Sequence, residues 1–243
     1  MFTSLAAIVP MACVTAAGIA AMTAEAFRAP GERMPIGPLG VIGLAGAAAA
    51  SALLWGRNAA SFGLVVADNF GLFVTWVLIV VGLLSLAISG PTLDREGLPR
   101  GEYYALMLFA IAGMMLMATA SDLLVIFLAL EVLSIAVYVM TGIRRDSAVA
   151  TEAAFKYFLL GAFSSAFFLY GIAFTYGLTG STRLDRVGAV LAAQPTAATV
   201  QRIALQRPRI GSKAERSTRT NAAKAAALTP VDMNPVTAGG APS

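Results

Sequence analysis

Histidine is absent, cysteine is reduced to Cys13, and charge is scarce, with only 12% of the 243 residues Asp, Glu, Lys or Arg. Each shortage excludes something. Without His and with a single thiol, the chain cannot supply the four thiolates of an iron–sulfur cluster, a haem imidazole or an ordinary zinc site. One cysteine also rules out an intrachain disulfide. A soluble domain carries about 25% charged residues, roughly twice what is present. Here 58% of residues are hydrophobic and the mean hydropathy is +0.78. These values point to a polytopic membrane protein.

Six apolar stretches approach the roughly 20 residues needed to cross about 30 Å of hydrocarbon: 2–24, 36–55, 67–89, 102–119, 121–141 and 153–178. In lipid each must satisfy its own backbone groups, so the expected fold is all-α, a bundle of about six transmembrane helices. The fourth and fifth are separated only by Ala120, Ser121 and Asp122, which predicts a tight antiparallel pair. Gly43, Gly46 and Ala47–Ala50 suit the second helix to close helix contact, and Gly161 with Ser165 gives the sixth a similar small-residue face. The first stretch has no Lys or Arg ahead of it and too long an apolar core for a signal peptide.

Loop charges set an orientation. Arg28, Arg33, Arg95, Arg100, Arg144 and Arg145 follow the odd-numbered helices, against Arg57, Arg183 and Arg186 on the other side. By the positive-inside rule the odd loops face the cytoplasm and the N-terminus lies outside.

Composition shifts near residue 194. Seven of the 17 basic residues lie beyond it, against Glu215 and Asp232, so the net charge of +4 is a basic tail joined to a nearly neutral membrane body. The expected division is a transmembrane bundle over 1–190 and a disordered tail over 191–243, too polar to offset its chain entropy. A polybasic lipid or nucleic-acid contact is the alternative. The dispersed charges, without interleaved aromatics, argue against it, and no nucleic-acid partner is expected.

Among ionisable groups, Glu131 stands out, near the middle of the 121–141 stretch. A carboxyl there costs about 2.5–3.5 kcal/mol on insertion scales, so such residues face the bundle interior and usually serve a function. Ser134, Tyr138 and Thr141 follow within one angular sector of it. The resulting polar stripe runs toward the cytoplasmic end. It could relay protons through hydroxyls and water, or provide one interhelical hydrogen bond from a protonated Glu. Lys156 lies about one turn inside the sixth stretch, where burial would let it exchange protons or a short reach would let it snorkel to water. Asp68, Glu102 and Asp122 sit at helix ends, where carboxylates cap. Met107, Met114, Met115 and Met117 read as packing for the fourth helix. No phosphate-binding Gly-rich loop and no nucleophile–base pair is visible, which points away from intrinsic enzymatic chemistry.

At these residues the sequence resembles a known family. Gly101-Glu102-Tyr103-Tyr104-Ala105-Leu106, Gly113 to Ala118, Ser121-Asp122-Leu123-Leu124, Leu130-Glu131-Val132-Leu133-Ser134, Arg144-Arg145-Asp146 and Glu152 to Ala166 look like subunit N of NADH–quinone oxidoreductase, as do Tyr170-Gly171 and Thr179 to Thr182. The resemblance is strongest over 101–190. It implies a multi-pass subunit of the plasma membrane, similar to cation/proton antiporters, with no cofactor of its own. It further implies other membrane subunits of the complex, and the lipid bilayer, as partners. Glu131 corresponds to the family's helix-five glutamate and Lys156 to its helix-six lysine, with Ser134 and Tyr138 as relay candidates. The family has about fourteen helices, and its later lysines have no counterpart here. A C-terminal truncation or frameshift is therefore expected, which sequencing the locus would test. A non-translocating scaffold or degenerate fragment is the competing reading. A free-standing antiporter is disfavoured, because six helices make half of an inverted-repeat transporter.

Overall fold

Apolar runs of this length become helices because only the i→i−4 ladder satisfies every backbone group without water. The computed structural model describes residues 5–27, 36–193 and 220–221. Six long helices carry it: α1 (Val9–Ala26), α2 (Gly37–Leu54), α3 (Asn69–Glu96), α4 (Arg100–Thr119), α5 (Leu123–Thr141) and α6 (Ala148–Thr179). All six, α1 together with the 3-10 turn Ala6–Ile8 ahead of it, are long and apolar enough to span a membrane. The expected six-span helical bundle is thus present. Of the tail expected over 191–243, Leu191 to Ala193, which are helical, and Thr220 and Asn221 are described; the remainder, and with it the expected disorder, lies outside the described residues, as do Arg28 and Arg33.

Two elements were not anticipated. A short antiparallel hairpin, β1 (Ala59–Ser61) with β2 (Val65–Ala67), fills the α2–α3 connection, and a short helix, α7 (Leu184–Ala193), follows α6. Three-residue strands give too brief a pattern to read from sequence. The helices also overrun their apolar cores. α3 continues through Pro91 to a left-handed Gly97 (φ 65°), where Leu98 N–H donates to Leu93 O in a 6→1 closure. α6 begins at Ala148, five residues before the apolar run, because the Ser147 hydroxyl accepts from Ala150 N–H and caps it there.

Alternating helix directions create two faces. One carries the hairpin with the α4–α5 and α6–α7 turns, and these are stitched together. Ser121 N–H donates to Leu64 O (2.8 Å), Leu123 N–H to Thr182 O (2.9 Å) and Leu184 N–H to Ser121 O (3.0 Å). Asp122 is only 4% exposed; its carboxylate accepts from Leu124 N–H (2.9 Å), capping α5, and from the Thr182 hydroxyl (2.6 Å). Asp122→Ala removes the cap and strands the Thr182 hydroxyl, an expected loss of about 2 kcal/mol measurable by unfolding in detergent micelles. Beside this hub, the Arg183 guanidinium bonds Asp185 (2.9 Å) and holds its carboxyl below the usual carboxylate range.

The opposite face is charged. Arg144 pairs with Glu96 and Arg145 with Glu102 (2.7 Å), tying the α5–α6 turn to the α3–α4 turn, across which Arg100 pairs with Asp94. These pairs are solvent-exposed in part, so each contributes well under about 1 kcal/mol. Glu102 is thus an ion-pair partner. Asp68 caps α3, accepting from Gly71 N–H (2.7 Å).

The core lies among α1 to α4. Leu108 and Met115 of α4 are buried against Val14, Leu44 and Ile79, with Met107 at the edge of the same cluster. α2 meets α1 closely, since a Cβ on Gly43 would overlap the Ala17 methyl. α6 is different: Ile172 is its one buried residue among those described, and Phe163, Phe167, Tyr170 and Phe174 are exposed.

Candidate functional site

The α4–α5 contact fixes which way α5 faces. A Cβ on Gly113 of α4 would lie 2.9 Å from Ala129 O and 2.9 Å from Leu133 N, so the two backbones nearly touch. Ala129 and Ala136 are buried on that same side of α5. At about 100° per residue, Phe127, Glu131, Ser134 and Tyr138 then point the other way, toward α6. Two ring contacts agree with this: Phe127 meets Phe168 at 6.2 Å, and Tyr138 meets Tyr157 at 4.8 Å and Phe158 at 5.9 Å. α5 and α6 run antiparallel, so these contacts set their register and bring Ser165 to the level of Glu131.

The α5 stripe therefore faces a seam with α6, and its counterface is built from Gly161 and Ser165. Sequence reasoning found those two as a small-residue pair without seeing what they opposed. The signal was their spacing of four, but the partner helix was not readable from it. Glu131 lies about 15 Å from the charged end of α5 by helical rise. Its Oε1 is buried with no hydrogen-bond partner among the described residues. A buried polar oxygen without a protein partner is one that a water molecule would satisfy. The Thr141 hydroxyl donates to Val137 O (2.9 Å) and is exposed at the end of the stripe. It is turned onto its own helix.

Lys156 is placed elsewhere. With α6 starting at Ala148, it lies more than two turns inside the helix, deeper than the one turn expected. It points away from α5, is 71% exposed, and pairs with Glu152 at i,i−4. The fold brings Glu131, Ser134 and Tyr138 together on one seam. It does not bring Lys156 to them. Among the described residues no group of three or more His, Cys, Asp or Glu could hold a metal ion.

Residues 120–205 match the family described as NADH:quinone oxidoreductase/Mrp antiporter, TM. NADH-quinone oxidoreductase subunit N of Chloroflexus aggregans is 45% identical over 142 residues, 58% of this chain and 29% of that protein. Its counterpart in Trichlorobacter lovleyi is 46% identical over 138 residues, 56% of this chain and 28% of that one. Among solved structures, a chain of respiratory complex I from Thermus thermophilus aligns with a TM-score of 0.60 at 33% identity, covering 72% of this chain and 38% of that chain. A chain of an archaeal membrane-bound sulfane sulfur reductase shares the fold, with a TM-score of 0.66 at 22% identity, covering 80% and 42%. Both structures are respiratory membrane complexes. The chain spans under a third of the length of these curated relatives, and over that span it is a multi-pass membrane homologue of NADH-quinone oxidoreductase subunit N.

Proposed function

We propose that this subunit N homologue contributes to proton translocation in the membrane arm of an NADH–quinone oxidoreductase, with electron transfer and quinone reduction carried by other subunits. The observation that carries the reading is the α5–α6 seam: a half-buried mid-helix carboxyl, Glu131, whose Oε1 is buried, followed by Ser134 and Tyr138 on one face. Glu131 is the titrating group. Ser134 and Tyr138, with water, extend the path toward the charged face. Lys156 and Glu152 serve the outward side of α6, toward a neighbouring helix or subunit of the arm. The membrane role belongs to residues 1–190, and 191–243 supply none of its groups.

Orientation follows from charge. Arg95, Arg100, Arg144 and Arg145 share one face, which supports a cytoplasmic charged face, an N-terminus outside and a plasma-membrane location. The exposed aromatic surface of α6 suits contact with lipid or with further membrane subunits.

One observation favours a second reading. Glu131 and Lys156 lie on opposite sides of α6, so a chain that docks helices without moving protons is consistent with the fold. Inverted membrane vesicles decide between them. NADH-driven acidification should fall in vesicles lacking this chain and return when it is supplied. Equal acidification with and without it, at equal quinone reductase content, would leave the scaffold.

A further inference from the structure

We infer that Gly161 is the positioning residue for Tyr138, and that the seated phenol partitions Glu131 from the charged face and passes protons between them. This rests on the proton-translocating reading above. A groove of about 380 Å³ runs between α5 and α6, lined by Tyr138, Val139 and Gly142 on one side and Thr151, Ala154 and Phe158 on the other. Tyr138 and Phe158 are its innermost residues, and Glu131 lies two helical turns beyond. The groove is open on its outer side, and among its lining residues Tyr138 and Thr151 are the ones that carry hydroxyls. Along this seam Tyr138 stands between the groove and Glu131.

The phenol is seated by its neighbours. It is packed edge-on against Tyr157 and Phe158. Its tip fills the space where residue 161 would carry a side chain: a Cβ on Gly161 would overlap the Tyr138 Oη and Cζ and lie 3.0 Å from Cε1. Any larger residue at 161 would have to displace the ring from this site. The Oη is thereby delivered to the Gly161 side of the ring, one turn along α6 beyond Phe158 and toward Ser165. In the transfer, the phenol oxygen accepts a proton from the groove side as its own O–H proton leaves toward Ser134 and Glu131. Rotation of the hydroxyl then restores the starting state, with no net change at Tyr138.

Vesicles carrying the assembled complex, assayed for NADH-driven proton flux at matched complex content, test this with five variants. Tyr138→Phe keeps the packing and removes the hydroxyl, and Gly161→Ala displaces the ring. Each is expected to lower flux about tenfold, a modest loss for a positioned proton-transfer group. On a Tyr138→Ala background, adding Gly161→Ala should cost nothing further, because residues acting through one contact are not additive. Wild-type flux in Tyr138→Phe overturns the inference, and so do additive losses from the Gly161→Ala and Tyr138→Ala pair. If Gly161→Ala alone fails to accumulate, the double variant removes the clash and should restore accumulation; failure to restore it also overturns the inference. Glu131→Gln separates the two levels. Flux that survives Glu131→Gln defeats the proton-translocating reading itself. Flux lost in Glu131→Gln but intact in Tyr138→Phe and Gly161→Ala defeats only the positioning role.

Discussion

Glu131→Gln should abolish the proton flux that depends on this chain, a loss of at least about a hundredfold, while the bundle still folds. The substitution is nearly isosteric and keeps a hydrogen-bonding side chain, but it cannot gain or lose a proton. Folding should tolerate it. The Oε1 position has no hydrogen-bond partner among the described residues to lose, and a neutral amide is cheaper than a carboxylate at this depth. Any thermal shift in detergent should therefore be small or slightly upward. The flux is different, because a glutamine side chain at this position can neither take up nor release the proton that the carboxyl would carry. An unchanged proton-to-electron stoichiometry in the variant would remove Glu131 from the pathway and leave the chain as a scaffold. Ser134→Ala should weigh less, since water can take the place of one hydroxyl in a relay.

Much of the bundle was legible because lipid leaves the backbone no alternative. The Leu123–Thr141 and Arg100–Thr119 helices lie within two residues of the apolar runs that forecast them. The errors have specific causes. α3 runs on to Glu96 and α6 starts at Ala148 because capping chemistry, at Gly97 and Ser147, sets helix ends where hydropathy has already faded. The hairpin rests on Phe62 and Gly63, both at positive φ. A phenylalanine there violates the residue preference that would have signalled such a turn. Within the site, the α5 stripe followed from spacing alone. Lys156 did not fall beside it, because spacing on α6 gives the angle between two of its residues but not which side meets α5. That choice is made by Gly161 and by the Phe127–Phe168 contact, which join residues more than twenty positions apart.

The rotation of α5 itself depends on Gly113, and here a glycine-to-alanine change should run against its usual sign. Within a helix, Gly→Ala ordinarily stabilises by about 0.5–1 kcal/mol, because alanine gives up less backbone freedom on folding. Gly171 of α6 has nothing within 4 Å of its missing Cβ, so Gly171→Ala should show that ordinary gain. At Gly113 the same methyl would press on Ala129 O and Leu133 N at 2.9 Å. Those are backbone atoms of a neighbouring helix, with no rotamer to yield, so α4 and α5 must part along their length. Gly113→Ala should therefore destabilise by about 1–3 kcal/mol, and Gly113→Leu by more. Unfolding in detergent micelles followed by circular dichroism compares the two sites directly. Equal shifts of one sign would mean that close backbone contact does not hold the pair. The consequence reaches the seam, because Glu131 faces α6 only while Ala129 and Leu133 are held against α4. Gly113→Ala should thus lower proton flux even where the complex assembles, by turning the carboxyl out of line with Tyr138 rather than by touching it.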